Sequence, residues 1–191
     1  MIYINDHIND FDLDEALSQL SELRRQQALR FRHELGQRQC AAAYLLLCKA
    51  LREQYGITEQ PIFSYGEHGK PSIVGHPDIH FNLSHCSQAV VCAVSSQPVG
   101  VDVETIRHYK EPLARYTMND DELSLITASS APDVEFVKLW TKKEAVLKLL
   151  GTGIRNNMKD VLVGQPPVTT VVNLQRGYVY SLAGNLAEAL Q

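Results

Sequence analysis

The sequence predicts an α+β fold made of two similar halves. In each half, helical segments come first and about three strand-like segments follow, an order that is typical of α+β proteins. The 191 residues, of which 45% are hydrophobic, are enough for one large domain or for two small, closely packed ones. We place the boundary so that residues 1–104 and 105–191 form the two halves. No clear sequence repeat relates them, so the duplication rests on the pattern of elements.

The first half is predicted to contain a short strand, two helices and then three strands. Residues 1–4 have a strand pattern, and residues 12–31 carry leucines at helical spacing. A second helix is predicted over residues 37–55, with Gly56 as its C-terminal cap. A loop rich in glycine and proline leads to three strand-like runs: residues 79–83, 89–94 and 99–104. Residues 95–98 are typical of a turn, so the last two strands are predicted to pair as a hairpin.

The second half is predicted to repeat this order. Residues 119–122, Asn-Asp-Asp-Glu, are typical of a helix start because acidic side chains favour the first turn. A longer helix is predicted over residues 133–150, ending at Gly151. Three strands are predicted after it: residues 159–163, 168–174 and 178–183.

Composition and charge narrow the class of protein. The net charge of −4 argues against general nucleic-acid binding, which usually needs a basic chain. The four cysteines form no CxxC pair and no histidine pair has zinc-finger spacing, which favours reduced thiols in a cytoplasmic protein. The sequence shows no signal-peptide pattern and no apolar stretch long enough to cross a bilayer. We therefore expect a cytoplasmic protein without a nucleic-acid or membrane partner.

Two carboxylates are predicted to share one face of the strand at residues 99–104. Its sequence, Val-Gly-Val-Asp-Val-Glu, alternates, and residues two apart in a strand lie on the same side, about 6.5–7 Å apart. Asp102 and Glu104 therefore point one way, while Val101 and Val103 point into the core. Hard cations such as Mg²⁺ bind oxygen ligands of this kind. Taken alone, the pattern is more often that of a strand with one solvated face.

A second candidate lies on the long helix of the second half. Trp140, Glu144 and Lys148 occupy successive i, i+4 positions and form one row. One interpretation is a surface ion pair between Glu144 and Lys148 beside a core tryptophan. In the other, Glu144 is a metal ligand or general base, and Lys148 and Lys143 neutralise phosphate charge. The interpretations differ in burial, because a functional Glu144 should line a cleft that faces Asp102.

Two further segments carry candidate phosphate ligands. Ser84 and His85 are neighbours on a predicted strand, so they point to opposite faces and cannot readily pair as nucleophile and base. Hydrogen bonding to a phosphate suits both better, and a partly buried, hydrogen-bonded histidine is the alternative for His85. Gly69 and Pro71 hold Lys70 at a fixed place, either as an exposed turn lysine or as a phosphate ligand.

Arginines crowd one short region of an otherwise acidic chain. They are Arg24, Arg25, Arg30, Arg32 and Arg38. Guanidinium groups match phosphate oxygens in a bidentate fork. The region therefore indicates either a phosphate-binding patch or a solvated helix face.

In this order, the segments resemble the 4′-phosphopantetheinyl transferase superfamily, in its long, two-half, surfactin-synthetase-activator type. Each segment alone is weakly specific, but five of them in the family's order over about residues 24–154 are a strong indication of this family. The matching segments are Arg30-Phe31 with Arg38, Gly69-Lys70-Pro71, Phe81-Asn82-Leu83-Ser84-His85, Gly100-Val101-Asp102-Val103-Glu104, and Trp140-Thr141-Lys142-Lys143-Glu144-Ala145 with Lys148 and Gly151.

The resemblance implies a fold and an activity. The two halves would be related by a pseudo-twofold axis, with the active site in the cleft between them, and the protein would be a monomer. It would transfer the phosphopantetheine group of coenzyme A to a serine of an apo acyl or peptidyl carrier protein. Adenosine 3′,5′-bisphosphate would be released.

The resemblance also implies roles for the candidate residues. Asp102, Glu104 and Glu144 would hold Mg²⁺ against the pyrophosphate of coenzyme A. Glu144 would be the base for the serine hydroxyl, and Lys148 would bind the transferred phosphate. The catalytic set would comprise Glu144, Lys148 and His85. Coenzyme A would be contacted by Arg38, Lys70, Ser84, His85, Lys143 and Lys148.

Two other functions fit the same residues. A metal-dependent phosphohydrolase would use the same carboxylates with water as its nucleophile. A non-catalytic coenzyme A-binding module would need no chemistry, and the intact carboxylate set argues against it because binding alone does not require three metal ligands. Phosphoryl transfer depends on positioning and charge neutralisation, so the missing enzymatic nucleophile is compatible with the transferase.

Overall fold

A computed structural model of the chain describes residues 1–153, 158–165 and 168–184. It is an α+β fold, as predicted. Not one of the helices within these residues has the length and hydropathy needed to cross a membrane. In chain order the elements are β1 (Ile2–Asn5), α1 (Leu13–Ser18), α2 (Glu22–Leu29), α3 (Glu34–Tyr55), β2 (Phe63–Tyr65), β3 (Pro71–Ile73), β4 (His80–His85), β5 (Val90–Ser95), β6 (Val99–Thr105), α4 (Glu111–Thr117), α5 (Asp120–Ala128), α6 (Pro132–Leu150), β7 (Val168–Asn173) and β8 (Tyr178–Gly184).

The helix ends follow local sequence signals. α3 ends at Gly56 and α6 at Gly151, each with the positive φ that glycine adopts most easily. At the start of α5, the side chains of Asn119 and Glu122 each accept a hydrogen bond from the other's backbone N–H, which is a capping box. Pro132 begins α6, where a missing N–H costs no helical hydrogen bond.

The first sheet has the strand order β1-β5-β4, with antiparallel neighbours. Val90, Cys92 and Val94 of β5 pack in one core with apolar side chains of α3. Val91 and Ala93 point the other way and join a second core that includes residues of β6 and β8. The alternation along β5 thus places this sheet between α3 and the second sheet.

The second sheet has the order β6-β8-β7 and is also antiparallel. Val101 and Val103 of β6 lie in the core shared with the first sheet, as the alternation predicts. On the other face, Ala183 of β8 packs with Ala145 and Val146 of α6. Each three-stranded sheet therefore has one long helix against its outer face, and the pseudo-twofold relation between them stays a prediction.

Side chains of β4 reach the free edge of β6 at the junction between the sheets. The N–H of Val101 donates to Asn82 Oδ1 at 2.9 Å, and the N–H of Val103 donates to Ser84 Oγ at 3.2 Å. Both partners advance by two residues, so the two strands run in the same direction. These side chains satisfy buried backbone donors that a neighbouring strand would otherwise satisfy.

The predicted hairpin between the second and third strands of the first half is wrong. β5 is paired on both edges, with β1 and β4, so it has no free edge for β6. The turn at residues 95–98 instead leads the chain from the first sheet into the second, where β6 pairs with β8. The boundary placed after residue 104 was not tested by this pairing and stays a prediction.

Three smaller differences concern local structure. Residues 12–31 form two helices rather than one, because Ser21 caps a new helix with its hydroxyl. The glycine-rich loop contains the short hairpin of β2 and β3. Residues 159–163 form turns, not a strand. Residue 154, the end of the resembling segment, lies outside the described residues.

Candidate active site

Asp102 lies in β6 at a point where α6 approaches the strand closely. A Cβ atom on Gly100, two residues earlier on the same face, would overlap the backbone oxygen of Ala145 and the backbone nitrogen of Leu149. The absence of a side chain at position 100 therefore allows this contact. It brings the side chains of α6 over the carboxylate of Asp102, which is 4% exposed.

A hydrogen-bonded network joins β4, β6 and α6 at this point. Lys148 Nζ lies 2.7 Å from Asp102 Oδ1 and 2.8 Å from Ser84 Oγ. The Ser84 hydroxyl donates to Asp102 Oδ1 at 2.8 Å and accepts from the backbone N–H of Val103. The hydroxyl thus uses its one hydrogen and both lone pairs. Ser84 and Lys148 are consequently held against Asp102.

Two carboxylate oxygens beside this network have no hydrogen-bond partner. They are Asp102 Oδ2 and Glu144 Oε1, and both atoms are buried. Buried polar atoms are nearly always hydrogen-bonded, so such atoms require an explanation. Carboxylate oxygens are the donors that Mg²⁺ prefers, and unpartnered ones can bind it without breaking another contact. The donor chemistry therefore fits a hard divalent cation.

The three acidic side chains influence one another's charge. Burial is the main cause that raises the pKa of Glu144 and of Glu104, and the Asp102 carboxylate adds to both effects. The positive charge of Lys148 opposes these shifts, and a hydrogen bond from Trp140 lowers the pKa of Glu104. A second cation near these acids would stabilise their charged forms.

Glu144 and Lys148 line a cavity of about 260 Å³. Asn82 and Lys70 also line it, together with Gly151 just after α6. Lys70 Nζ donates to the carbonyl oxygen of Leu149 at 2.8 Å, at the C-terminal end of the helix, and burial lowers its pKa. The cavity wall thus carries two ammonium groups and one carboxylate.

His85 stands at the rim of this group. It is exposed whereas Ser84 is buried, in agreement with opposite faces of β4. Its ring is nevertheless partly shielded from water, and this burial, followed by the nearby charge of Lys148, lowers its pKa. The imidazole is therefore biased toward its neutral form, which can accept a proton or a hydrogen bond.

Two predicted contacts to coenzyme A lie elsewhere. Lys143 is fully buried, and its Nζ bonds Glu122 Oε2 and the carbonyl oxygen of Met158, both at 2.8 Å. Arg38 lines a different cavity, where it bonds Glu34 and the carbonyl oxygen of Phe11. The structure thus does not bring Lys143 or Arg38 to the cavity of Lys148.

Across residues 1–153, 158–165 and 168–184, no three His, Cys, Asp or Glu side chains are grouped so that they could hold a metal ion. Asp102 Oδ1 is engaged by the Lys148 ammonium and the Ser84 hydroxyl. Oδ2 is therefore the oxygen of Asp102 that remains available to a cation.

Sequence reasoning assigned no role to Asn82 or Gly100. Asn82 lines the cavity and bonds the edge of β6, and Gly100 permits the approach of α6. A signal for Asn82 was available, because the polar residues at 82 and 84 are two apart on the strand and so share one face, which is buried. The need for glycine at position 100 depends on a helix more than 40 residues away, which a local pattern does not reveal.

Comparison with known proteins identifies similar chains. The family described as the 4′-phosphopantetheinyl transferase superfamily matches residues 98–182. A 4′-phosphopantetheinyl transferase of Bacillus subtilis is 31% identical over 157 residues, which are 80% of this chain and 70% of the relative. The transferase psf-1 of Bacillus pumilus is 37% identical over 134 residues, 69% and 58% of the two chains. The transferase HetI of Nostoc sp. is 29% identical over 194 residues, 92% and 80% of the two chains.

Proposed function

Because the chain belongs to the 4′-phosphopantetheinyl transferase superfamily and is an enzyme of that type, we propose that it modifies apo acyl or peptidyl carrier proteins. It transfers the 4′-phosphopantetheine group of coenzyme A to a carrier serine and releases adenosine 3′,5′-bisphosphate. The observation that carries this proposal is that Lys148, which bonds the Asp102 carboxylate, lines one cavity together with Glu144. This arrangement supplies oxygen donors for a cation and positive charge for phosphate in the same place.

Asp102, Glu104 and Glu144 are the proposed Mg²⁺ ligands. The unpartnered oxygens of Asp102 and Glu144 support this choice, as does the shared face of Asp102 and Glu104. When bound, Mg²⁺ neutralises charge on the pyrophosphate and orients it.

Glu144 is the proposed general base. Its carboxylate lines the cavity and has an unpartnered oxygen that can accept a proton, and burial raises its pKa in the metal-free protein. The carboxylate takes the proton of the carrier serine hydroxyl as the serine oxygen attacks the phosphorus that bears pantetheine. The bond from that phosphorus to the bridging pyrophosphate oxygen breaks. The nucleophile thus belongs to the carrier.

Positive and hydrogen-bonding groups around the cavity would hold the phosphates. Lys148 would bind the transferred phosphoryl group, and its charge would offset charge that develops in the transition state. Lys70, Ser84 and His85 are proposed contacts to the remaining phosphates of coenzyme A. Arg38 is retained for the 3′-phosphate, in which case it must exchange its bond to Glu34. Lys143 is omitted because its ammonium is buried in another network.

We also propose that the protein acts in the cytoplasm as a monomer, without a nucleic-acid or membrane partner. All four cysteines lie within the described residues as free thiols, which supports a reducing compartment. The net charge of −4 supports the absence of a nucleic-acid partner.

Mass spectrometry of candidate apo carriers tests the function. After incubation with coenzyme A and Mg²⁺, transfer should add about 340 Da to the carrier, the phosphopantetheine unit. A carrier with alanine in place of the acceptor serine is the control. Free phosphopantetheine beside an unmodified carrier would instead indicate the phosphohydrolase. Bound coenzyme A without turnover on any carrier would indicate the binding module.

A further inference from the structure

Lys148 occupies the carboxylate that the proposed cation needs. Its ammonium lies 2.7 Å from Asp102 Oδ1, within charge-assisted hydrogen-bond distance. The carboxylate side chain is 6% exposed, so water screens this contact little. Ser84 adds a second partner for the ammonium at 2.8 Å. The ammonium is therefore firmly placed.

A divalent cation and this ammonium would repel each other if both bound Asp102. The unpartnered Oδ2 belongs to the same carboxylate as Oδ1, so a cation on Oδ2 would lie next to the positive charge of the lysine. The site is largely shielded from water, so the repulsion between the two charges would be weakly screened.

The cavity leaves room for a second position of the Lys148 ammonium. Its side chain is 28% exposed and lines the cavity of about 260 Å³ beside Asn82 and Glu144. A lysine side chain has a flexible stem of four carbons, so the ammonium can leave Asp102 while the backbone of α6 stays fixed. A phosphate in the cavity would give the displaced ammonium a new anionic partner.

We propose that Lys148 competes with the divalent cation for Asp102, and that the pyrophosphate of the donor relieves this competition by drawing the ammonium into the cavity. This inference rests on the proposed function, since it assumes that a pyrophosphate donor binds there. It makes cation and donor binding mutually dependent, because each improves the affinity for the other. The complete metal site forms only around a bound donor.

Mn²⁺ titration measured by electron paramagnetic resonance tests the proposal without relying on turnover. The variant Lys148→Met removes the ammonium, and Lys142→Met removes one charge from the same helix at a residue outside the network. Without coenzyme A, Lys148→Met should bind Mn²⁺ about tenfold or more tightly than the wild type, because the competing cation is gone. Lys142→Met should stay within about twofold of the wild type.

Coenzyme A provides the second half of the test. It should tighten Mn²⁺ binding by a larger factor in the wild type than in Lys148→Met, since only the wild type has an ammonium to displace. Pantetheine, which lacks phosphate, should have no effect. If Lys148→Met is unstable, Lys148→Gln keeps a hydrogen-bond donor for Asp102 and should show the same tightening.

Unchanged Mn²⁺ affinity in both position-148 variants without coenzyme A would overturn the proposal. An equal gain in Lys142→Met would also overturn it, because the effect would then be one of overall charge. The transferase function fails separately, when the wild type modifies no carrier. Tightening in Lys148→Met would still establish the competition in that case.

Discussion

Two lysines of α6 each form an ion pair, but the two pairs differ in how fully their polar atoms are hydrogen-bonded. Lys143 is fully buried, and its ammonium bonds Glu122 and two carbonyl oxygens of residues 158–159. Lys148 is partly exposed in a cavity and bonds Asp102, whose second oxygen has no partner. We call the first pair closed, because its ammonium has three acceptors. We call the second pair open, because its carboxylate has an unpartnered oxygen and its ammonium lines a cavity.

The difference indicates which pair serves stability and which serves chemistry. A buried pair with all its hydrogen bonds made gains little from binding anything else, and removal of one member leaves an uncompensated charge. A pair with an unpartnered oxygen and a partly exposed ammonium beside a cavity can exchange partners. Lys143 therefore anchors α6 to α5 and to residues 158–159, whereas Lys148 remains available to a ligand.

Asp102→Asn should give the largest effect on activity. The amide keeps the shape of the side chain but removes the negative charge that a cation requires, so transfer to a carrier should fall by about 10³-fold or more. The melting temperature should change little, because Ser84 still has a partner at position 102. Rates by mass spectrometry and melting by calorimetry check this, with Glu122→Gln as the matched neutralisation in the closed pair. Near wild-type transfer by Asp102→Asn would exclude Asp102 as a ligand.

Lys143→Met should give the largest effect on stability. It leaves Glu122 charged and buried, and loss of one member of such a pair typically costs about 3–5 kcal/mol. Lys148→Met should cost less, because the Lys148 side chain is 28% exposed and Asp102 keeps the Ser84 hydroxyl. Urea unfolding gives the free energy of unfolding of each variant. The two values are comparable when the free energy depends on urea concentration with the same slope in both. Equal destabilisation would remove the distinction between a closed and an open pair.

Lys148→Met should affect catalysis through kcat more than through KM for coenzyme A. An ammonium that neutralises charge developing on the phosphoryl group acts chiefly in the transition state, so we expect kcat to fall about 10²-fold with a smaller change in KM. Steady-state rates at saturating Mg²⁺ provide the measurement, with Lys142→Met as control. Equal loss in both constants would make Lys148 only a binding group.

Local sequence patterns predicted most elements and the direction of the acidic side chains. Alternation in β6 placed Asp102 and Glu104 on one face because strand geometry depends only on neighbouring residues. Helical spacing likewise placed Glu144 and Lys148 in one row. The same spacing puts Lys143 about 100° around the helix from Glu144, so its separation from the cavity was partly foreseeable.

Features that depend on distant partners were not predictable in this way. The partner of Lys143 comes from α5, and no spacing rule connects positions 122 and 143. The hairpin prediction for β5 and β6 failed because β5 receives β1 from the start of the chain on one edge. Turn chemistry at residues 95–98 is the same whether the next strand pairs with β5 or enters another sheet. Which strands pair depends on every strand that could occupy the same sheet edge, including strands that are distant in the sequence.

Gly100→Ala tests whether the open pair depends on the close approach of α6, and it should give the smallest effect of the four. The new methyl group meets backbone atoms of Ala145 and Leu149, which cannot rotate away, so the helix must shift. Overpacking of this kind costs about 1–3 kcal/mol. Gly100 lies on the strand of Asp102, so the shift should lengthen the contact of Lys148 more than that of Lys143.

The expected result is therefore asymmetric. Gly100→Ala should lower the rate of carrier modification at temperatures where the protein remains folded. The loss of stability caused by Lys143→Met should be the same with and without Gly100→Ala. A double-mutant cycle with Lys148→Met measures the coupling directly, since residues that act through one contact show non-additive effects. Gly177→Ala is a control for backbone strain without overpacking, because φ is +72° there and a methyl group meets no atom within 4 Å. Additive losses in activity would show that the helix approach and the Lys148 contact are independent, and α6 would then be positioned by its closed pair alone.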